Sequence, residues 1–224
     1  EWRAAGLVSA EDADAWREAL QDASGPPLTA TRTVGALAGI VASRVAREFR
    51  FGGPSFGVSE GAAGGLRALA IGVRMLQRGE VDAVLVAAVD LAGDLRSVAV
   101  ADARHPFSAG ATVRPFDRSA DGPLPADGAA AVVLRRRDLQ GFQTFENLGG
   151  LSRIYATVKG FGSAGGGRLD PDGVPRPDPD AGVRSLAETL ASAGIEPADL
   201  SLVEAQGSGD PDIDAAEASV LARV

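Results

Sequence analysis

The sequence predicts an α/β fold with a mixed central sheet, and two observations support this prediction. Apolar runs rich in Val at 81–89 and 129–134 are typical of strands buried inside a sheet, and the segments between such runs have helical apolar spacing. Hydrophobic residues make up 45% of the chain but aromatic residues only 5%, so Ala, Val and Leu must build the core. Such small side chains let helices pack closely on a sheet, as layered α/β proteins require.

The predicted elements alternate along the chain. A capping residue before an apolar repeat and a glycine after it mark the helices, as at Ser9 and Gly194. In order, the prediction is helix 9–23, helix 34–48, strand 55–58, helix 62–77, strand 81–89, strand 129–134, strand 154–160, helix 181–193, strand 200–205 and helix 212–224.

The domain organisation follows from composition. Residues 1–30 form an N-terminal helical segment and residues 31–224 the main domain. The charged and then polar stretch 138–151 is interpreted as an insertion or linker. The Gly-, Pro- and Asp-rich stretches 103–128 and 162–181 are predicted to be loops.

Composition excludes several classes of function. The formal net charge is −8 and the chain has no extended basic patch, which argues against binding to nucleic acid. There is no cysteine and a single histidine, His105, so we expect no disulfide, thiolate chemistry, metal site or cofactor. No apolar run reaches the ~20 residues of a membrane span, and the start at Glu1 lacks a signal peptide. We expect a cytoplasmic piece of a larger polypeptide.

The most informative segment is the turn 53–66, which a strand-like run enters and a helix-like run leaves. Many α/β enzymes hold a nucleophile at such a turn. Here it carries Ser59 and Glu60, followed only by Ala and Gly up to residue 65. Two interpretations are open: Ser59 is a nucleophile, or a catalytic site has been emptied.

The first interpretation corresponds to a serine hydrolase, because residues 57–61 match the Gly-x-Ser-x-Gly pattern. That pattern needs a histidine further along the chain, and His105 comes earlier than is usual for such enzymes. We therefore favour a turn role for Ser59, in which it caps the following helix or bonds to backbone. His105 is interpreted as a loop or interface residue.

Five segments, in order, resemble one family, the β-ketoacyl synthases of the thiolase-like fold. They are Gly53-Pro54-Ser55, the strand 81–89, Arg114-Pro115-Phe116-Asp117 with Asp121-Gly122 and 127–134, Ile154-Tyr155-Ala156, and 203–209 with Pro211, Asp214 and Glu217. Segments 57–59 and 88–93 are most similar to the chain-length-factor domain of polyunsaturated-fatty-acid-synthase-type polyketide systems. The resemblance implies a layered αβαβα architecture, present as an incomplete copy.

The departures from the family pattern fall on its catalytic residues. The resemblance places the nucleophilic cysteine at Ala62 and the first histidine at Gln206. A methyl group cannot form a thioester, and an amide cannot replace an imidazole in decarboxylation. The family's second histidine would lie beyond residue 224.

The resemblance therefore implies a non-catalytic, chain-length-factor-like subunit. Such a subunit pairs pseudo-symmetrically with an active ketosynthase, helps to shape the acyl-chain tunnel and meets an acyl carrier protein. Candidate tunnel or interface residues are Phe51, Phe56 and Phe116.

Two alternatives remain open. One is a ketosynthase-like decarboxylase of malonyl thioesters that uses Glu60 or Gln206. In the simpler interpretation, Glu60 is a carboxylate at a helix N-terminus. Its interaction with the helix dipole then contributes about 0.3–1 kcal/mol to stability. The second alternative is the serine hydrolase that uses Ser59.

Overall fold

The computed structural model describes residues 5–23, 29–35, 37–92, 95–137, 154–169, 171, 173 and 175–224. The chain divides into two compact units, Glu1–Gly61 and Ala62–Val224. The predicted insertion or linker 138–151 lies outside the described residues. The predicted division into 1–30 and 31–224 stays a prediction.

The first unit contains the helices α1 (Ala10–Ala23), α2 (Ala30–Gly35) and α3 (Ala38–Glu48). Ser9 caps α1 as predicted, because its Oγ accepts a hydrogen bond from the Asp12 backbone N–H at 3.0 Å. The single helix predicted at 34–48 is wrong. Helix α2 ends at Gly35, a poor helix former, and Leu37 has the extended backbone of an N-cap before α3.

The turn after α3 brings the chain back along that helix. The Phe51 N–H donates to the Ala46 carbonyl at 2.8 Å, and Arg50 has a left-handed backbone with φ 56°. The Ser43 and Ser55 hydroxyl oxygens are then 3.4 Å apart. Residues 55–58 pair with no described strand, so the strand predicted there is not formed.

The second unit begins with a helix on a small sheet. Helix α4 (Gly64–Gln77) leads to strand β1 (Ala83–Asp90), helix α5 (Leu95–Arg104) and strand β2 (Gly128–Arg135). Strands β1 and β2 are antiparallel and pair from Ala83–Arg135 to Asp90–Gly128. Both strands were predicted from sequence, but α5 was not.

Helix α4 covers one face of this sheet. A Cβ placed on Gly72 would lie 3.2 Å from Val84 and from Val86, so this glycine allows the helix to approach closely. On the other face, Leu85, Val89 and Val133 are exposed. The prediction that 81–89 is buried on both faces is therefore wrong for the described structure.

The second unit ends with two short strands, two helices and a 3₁₀ turn between the helices. They are the two-residue strands β3 (Arg168–Leu169) and β4 (Pro175–Arg176), helix α6 (Pro179–Ala193), a 3₁₀ turn (Pro197–Asp199) and helix α7 (Pro211–Leu221). Gly194, with φ 64°, ends α6 as predicted. The strands predicted at 154–160 and 200–205 pair with no described strand.

The segment that precedes β3 runs along α6 in the opposite direction. The Phe161 N–H donates to Ser192 Oγ at 3.0 Å, and the Ser163 N–H donates to the Glu188 carboxylate at 2.9 Å. Between them, Gly162 lies so close to the Ser185 carbonyl and to Thr189 that a Cβ would clash. Direct contact between this backbone and α6 therefore requires glycine at 162.

The buried apolar side chains among the described residues are Leu76, Val86, Ala181 and Leu190. No helix within the described ranges combines the length and the apolar character needed to cross a membrane.

Candidate functional site

The turn 53–66 leads into α4 with no polar side chain at the N-cap position. The N-cap of α4 is Ala63, which makes no side-chain capping bond, and the neighbouring Ala62 is exposed. The predicted turn role of Ser59 is wrong, because its hydroxyl caps no helix and makes no hydrogen bond with any described residue. Glu60 is exposed and has an interaction partner. Its residual catalytic role stays a prediction.

The loop that carries Gln206 is held by helix α7. The backbone N–H groups of Gln206 and Gly207 donate to the two carboxylate oxygens of Glu217, at 2.7 and 3.0 Å. Gly207 has φ 52°, a conformation that favours glycine. The amide of the Gln206 side chain bonds to no described residue. The backbone of the motif is thus fixed while its side chain makes no polar contact with the described chain.

A buried carboxylate joins this loop to a second predicted motif. Asp214 is 4% exposed and accepts hydrogen bonds from the Gly209 N–H, from Ser208 Oγ and, 98 residues earlier in the chain, from the Phe116 N–H at 2.8 Å. The Gly122 N–H donates to the Gly209 carbonyl at 2.9 Å. The structure therefore brings together two of the five segments that resemble the family, 114–122 and 203–217.

Phe116 is the predicted tunnel residue that lies at this junction. Its φ of 57° is an outlier for a bulky side chain, and the Asp214 carboxylate holds its N–H in place. The ring is 3.4 Å from the position that a Cβ on Gly207 would take. The other two candidates, Phe51 and Phe56, belong to the first unit, where Phe51 stacks on Phe49 with the ring centroids 5.7 Å apart.

A second carboxylate orders the loop between α5 and β2. Asp121 accepts hydrogen bonds from Ser108 Oγ at 2.6 Å and from Arg114 at 2.8 Å. These bonds, the Ser108 bond first, hold the pKa of Asp121 below its ordinary value of 3.8. Ser108 is buried. This contact fixes the loop that leads to Phe116.

His105 follows the end of α5, where sequence reasoning had assigned it only to a loop or interface. Its Nδ1 is 3.1 Å from Asp210 Oδ2, and Asp210 also caps α7. The two residues border an open pocket of about 280 Å³, together with Arg104, Pro106, Asp121, Gly122, Arg176, Pro211 and Asp212. Sequence reasoning missed this pair because the partners are 105 positions apart and share no motif. Within the described residues, no group of three His, Asp or Glu side chains could hold a metal ion.

Solved structures define the class of fold. A β-ketoacyl synthase from Burkholderia phymatum superposes with a TM-score of 0.75 at 24% identity, over 96% of this chain and 51% of that one. An oxazolomycin ketosynthase domain from Streptomyces albus superposes with 0.70 at 29% identity, over 83% and 31%. The ishigamide ketosynthase/chain length factor gives 0.69 at 24% identity, over 84% and 43%. The chain is a partial copy of the thiolase-like fold, as predicted.

The family follows from the sequence comparisons. The sequence pattern of the β-ketoacyl synthase N-terminal domain matches residues 3–139, and that of the C-terminal domain matches residues 155–224. The chain belongs to the β-ketoacyl synthase family, which confirms the resemblance seen in its motifs.

Its relatives are much longer polypeptides. The chain is 30% identical over 212 residues to a hybrid PKS-NRPS synthetase of Gloeophyllum trabeum, covering 95% of this chain and 13% of that protein. It is 31% identical over 177 residues to a subunit of the polyunsaturated fatty acid synthase of a Thraustochytrium species, covering 79% of this chain and 8% of that protein.

Proposed function

We propose that this domain is a non-catalytic ketosynthase-like subunit that pairs with an active ketosynthase and shapes the acyl-chain tunnel in fatty acid or polyketide biosynthesis. The observation that supports this proposal is the type of residue at the two positions that the motif resemblance assigns to the reactive groups. Ala62 stands at the nucleophile position and Gln206 at the first histidine position.

The 224 residues cannot supply a replacement for the thiol. Thioester formation needs a sulfur nucleophile, and they contain no cysteine. The single imidazole, that of His105, is engaged with Asp210. Gln206 can donate a hydrogen bond but has no proton to exchange near neutral pH. The Gln206 loop is held through its backbone, because Glu217 accepts from the Gln206 and Gly207 N–H groups and Asp214 accepts from the Gly209 N–H.

The proposed partners rest on what related structures contain. One structural neighbour is a ketosynthase/chain length factor, and another is a type II PKS acyl-carrier protein in complex with its ketosynthase. We infer that this domain meets an active ketosynthase in a pseudo-symmetric dimer and also meets an acyl carrier protein. Phe51, Phe56 and Phe116 are proposed to line the tunnel or the interface.

A carrier-protein assay distinguishes a non-catalytic subunit from an enzyme. Malonyl-loaded carrier protein is incubated with the purified domain, with a cysteine-containing ketosynthase that co-purifies with it, and with both, and the carrier species are identified by mass spectrometry. We expect no acetyl-carrier from the domain alone. We also expect the domain to change the length distribution of the ketosynthase products.

Two results would overturn the proposal. Release of acetyl-carrier by the domain alone, abolished by Glu60→Ala or Gln206→Ala, would identify a decarboxylase. Labelling of Ser59 by a fluorophosphonate probe, absent in Ser59→Ala, would identify a serine hydrolase.

A further inference from the structure

A chain of polar contacts runs from His105 to Phe116 across the second unit. His105 Nδ1 lies 3.1 Å from Asp210 Oδ2, and the Asp210 backbone N–H donates to Ser208 Oγ at 3.0 Å. The Ser208 hydroxyl in turn donates to Asp214 at 3.1 Å, and Asp214 accepts the Phe116 N–H at 2.8 Å. We call His105, Asp210, Ser208, Asp214 and Phe116 the relay. It connects the end of α5 with a proposed tunnel residue through the loop before α7.

The far end of the relay is a strained backbone. Phe116 has φ 57°, a left-handed conformation that a bulky residue rarely adopts unless its surroundings hold it there. The bond from its N–H to Asp214 is such a contact. The Phe116 side chain is 49% exposed, so its packing leaves room for a second backbone state with an ordinary negative φ. The hydrogen bond to Asp214 favours the strained state of the two.

The near end of the relay is a group that changes charge in mild conditions. His105 carries the only imidazole of the chain, and an imidazole ordinarily gains its proton between about pH 8 and 5. The side chain of His105 is 30% exposed and that of Asp210 15%, so water reaches a contact that is partly shielded. The other charged groups that border the same pocket come from α5, the loop before β2, β4 and α7, and they are Arg104, Asp121, Arg176 and Asp212. Arg176 and Asp212 pair with each other at 2.9 Å.

We propose that protonation of His105 strengthens its contact with Asp210 and, through the relay, holds Phe116 in its left-handed backbone state. A charged imidazole bonds to a carboxylate more strongly than a neutral one does. A firmly held Asp210 keeps its own N–H on Ser208, and Ser208 stays on Asp214, the acceptor that Phe116 needs. The Phe116 N–H therefore opens more often as the pH rises and the imidazole becomes neutral.

The relay gives the proposed tunnel a pH-dependent wall residue. This consequence rests on the proposed function, in which Phe116 lines the tunnel or the interface. The relay itself rests only on the contacts between the end of α5, the loop 114–122 and the loop before α7.

Amide hydrogen exchange followed by NMR measures the opening of the Phe116 N–H directly. The rates are measured at about pH 5.5 and 7.5, on either side of an ordinary imidazole titration, and corrected for the intrinsic pH dependence of exchange. We expect the protection of Phe116 in wild type to be at least about twofold higher at the lower pH. The Phe161 N–H, which donates to Ser192 Oγ outside the relay, is the internal reference and should show no such difference.

Two variants interrupt the relay at different points. His105→Gln retains a group that can bond to Asp210 but does not titrate, and Ser208→Ala removes the middle of the relay while His105 and Asp210 remain. Both should lose the pH difference at Phe116. Ser219→Ala, at an exposed hydroxyl of α7 that bonds to no described residue, is the control and should retain it. Circular dichroism checks that every variant folds.

Three results would overturn the proposal. They are equal protection of Phe116 at both pH values in wild type, a pH difference that persists in folded Ser208→Ala, and a difference of the same size at Phe161. The last result would indicate opening of the whole unit. Because the carrier-protein assay reads the products of a ketosynthase and the exchange experiment reads one N–H group, the failure of the relay is distinguishable from the failure of the proposed function.

Discussion

The two segments that the motif resemblance assigns to the family's catalytic residues, the loop 206–217 and the turn before α4, are built in opposite ways. At 206–217, two carboxylates of one helix hold the loop backbone through hydrogen bonds, and one of them is buried. At the start of α4, Ala63 occupies the N-cap position and no side chain caps the helix. The loop 206–217 is therefore fixed by polar contacts from one helix, while α4 begins without a capping side chain.

The largest expected effect comes from Asp214. Replacing it with Ala leaves the Phe116 and Gly209 N–H groups without their buried acceptor and removes a partner of Ser208, at a cost of about 3 kcal/mol in the free energy of unfolding. Urea denaturation measures the loss. Ser219→Ala, at an exposed position on the same helix whose hydroxyl bonds to no described residue, is the control and should cost less than about 0.5 kcal/mol. Equal effects of the two variants would show that the buried carboxylate is not what holds the motif.

Close backbone packing holds another segment of this unit, residues 160–166, against α6. Gly162→Ala forces a methyl group into the Ser185 carbonyl and should destabilise the protein by about 2 kcal/mol. Gly165→Ala is the control, since nothing lies within 4 Å of a Cβ at that position. If both variants unfold at the same urea concentration as wild type, the segment 160–166 does not pack along α6 as described.

Glu217 should matter less than Asp214, because it is only partly buried. Glu217→Ala removes the acceptor for two backbone N–H groups that water can reach, and we expect a loss of about 1 kcal/mol. Hydrogen exchange at Gln206 and Gly207 should accelerate, whereas Glu204→Ala should leave it unchanged. Unchanged exchange in Glu217→Ala would mean that the loop is held by other contacts.

A pH-dependent contribution is expected from Asp121. Its pKa is lowered in the folded state by Ser108 and Arg114, so its stabilising effect is fully present above the ordinary value of 3.8 and is lost as the pH falls through the lowered pKa. Wild type should therefore be more stable than Asp121→Asn at pH 7, and the difference should shrink in acid below pH 3.8. A difference that is constant from neutral pH down to about pH 2.5 would contradict the lowering of this pKa by Ser108 and Arg114.

The smallest effect is expected at the turn before α4. Ser59→Ala removes a hydroxyl that bonds to no described residue, so the free energy of unfolding should change by less than about 0.5 kcal/mol. A larger loss would show that the Ser59 hydroxyl helps to hold this turn, and the contrast with 206–217 would weaken.

Helices and strands are predicted correctly from the sequence where neighbouring residues determine them. The Ser9 cap, the Gly194 stop and the apolar run of β2 each depend on neighbouring residues, and each predicted element forms close to its expected bounds. The break between α2 and α3 was missed because the pattern of small residues continues across it. The strands expected at 154–160 and 200–205 were wrong because strand formation depends on a paired neighbour as well as on composition.

The assignment of Ala62 and Gln206 to catalytic positions of the family rests on short motifs, and it stays a prediction. The contacts that hold the Gln206 loop were not predicted, although Asp214 and Glu217 belong to the same motif. The hydrogen bond from the Phe116 N–H to Asp214 joins residues 98 positions apart, and no local sequence pattern predicts it.

The uncovered sheet face has a practical consequence for the isolated chain. Leu85, Val89 and Val133 form an exposed apolar strip with no charged side chain among them, and β1 and β2 pair only with each other among the described strands. Such a surface binds apolar dyes and offers unpaired strand edges to other chains. Preparations of the chain alone should therefore precipitate as concentration rises, and a charge introduced at Val89 or Val133 should raise its solubility.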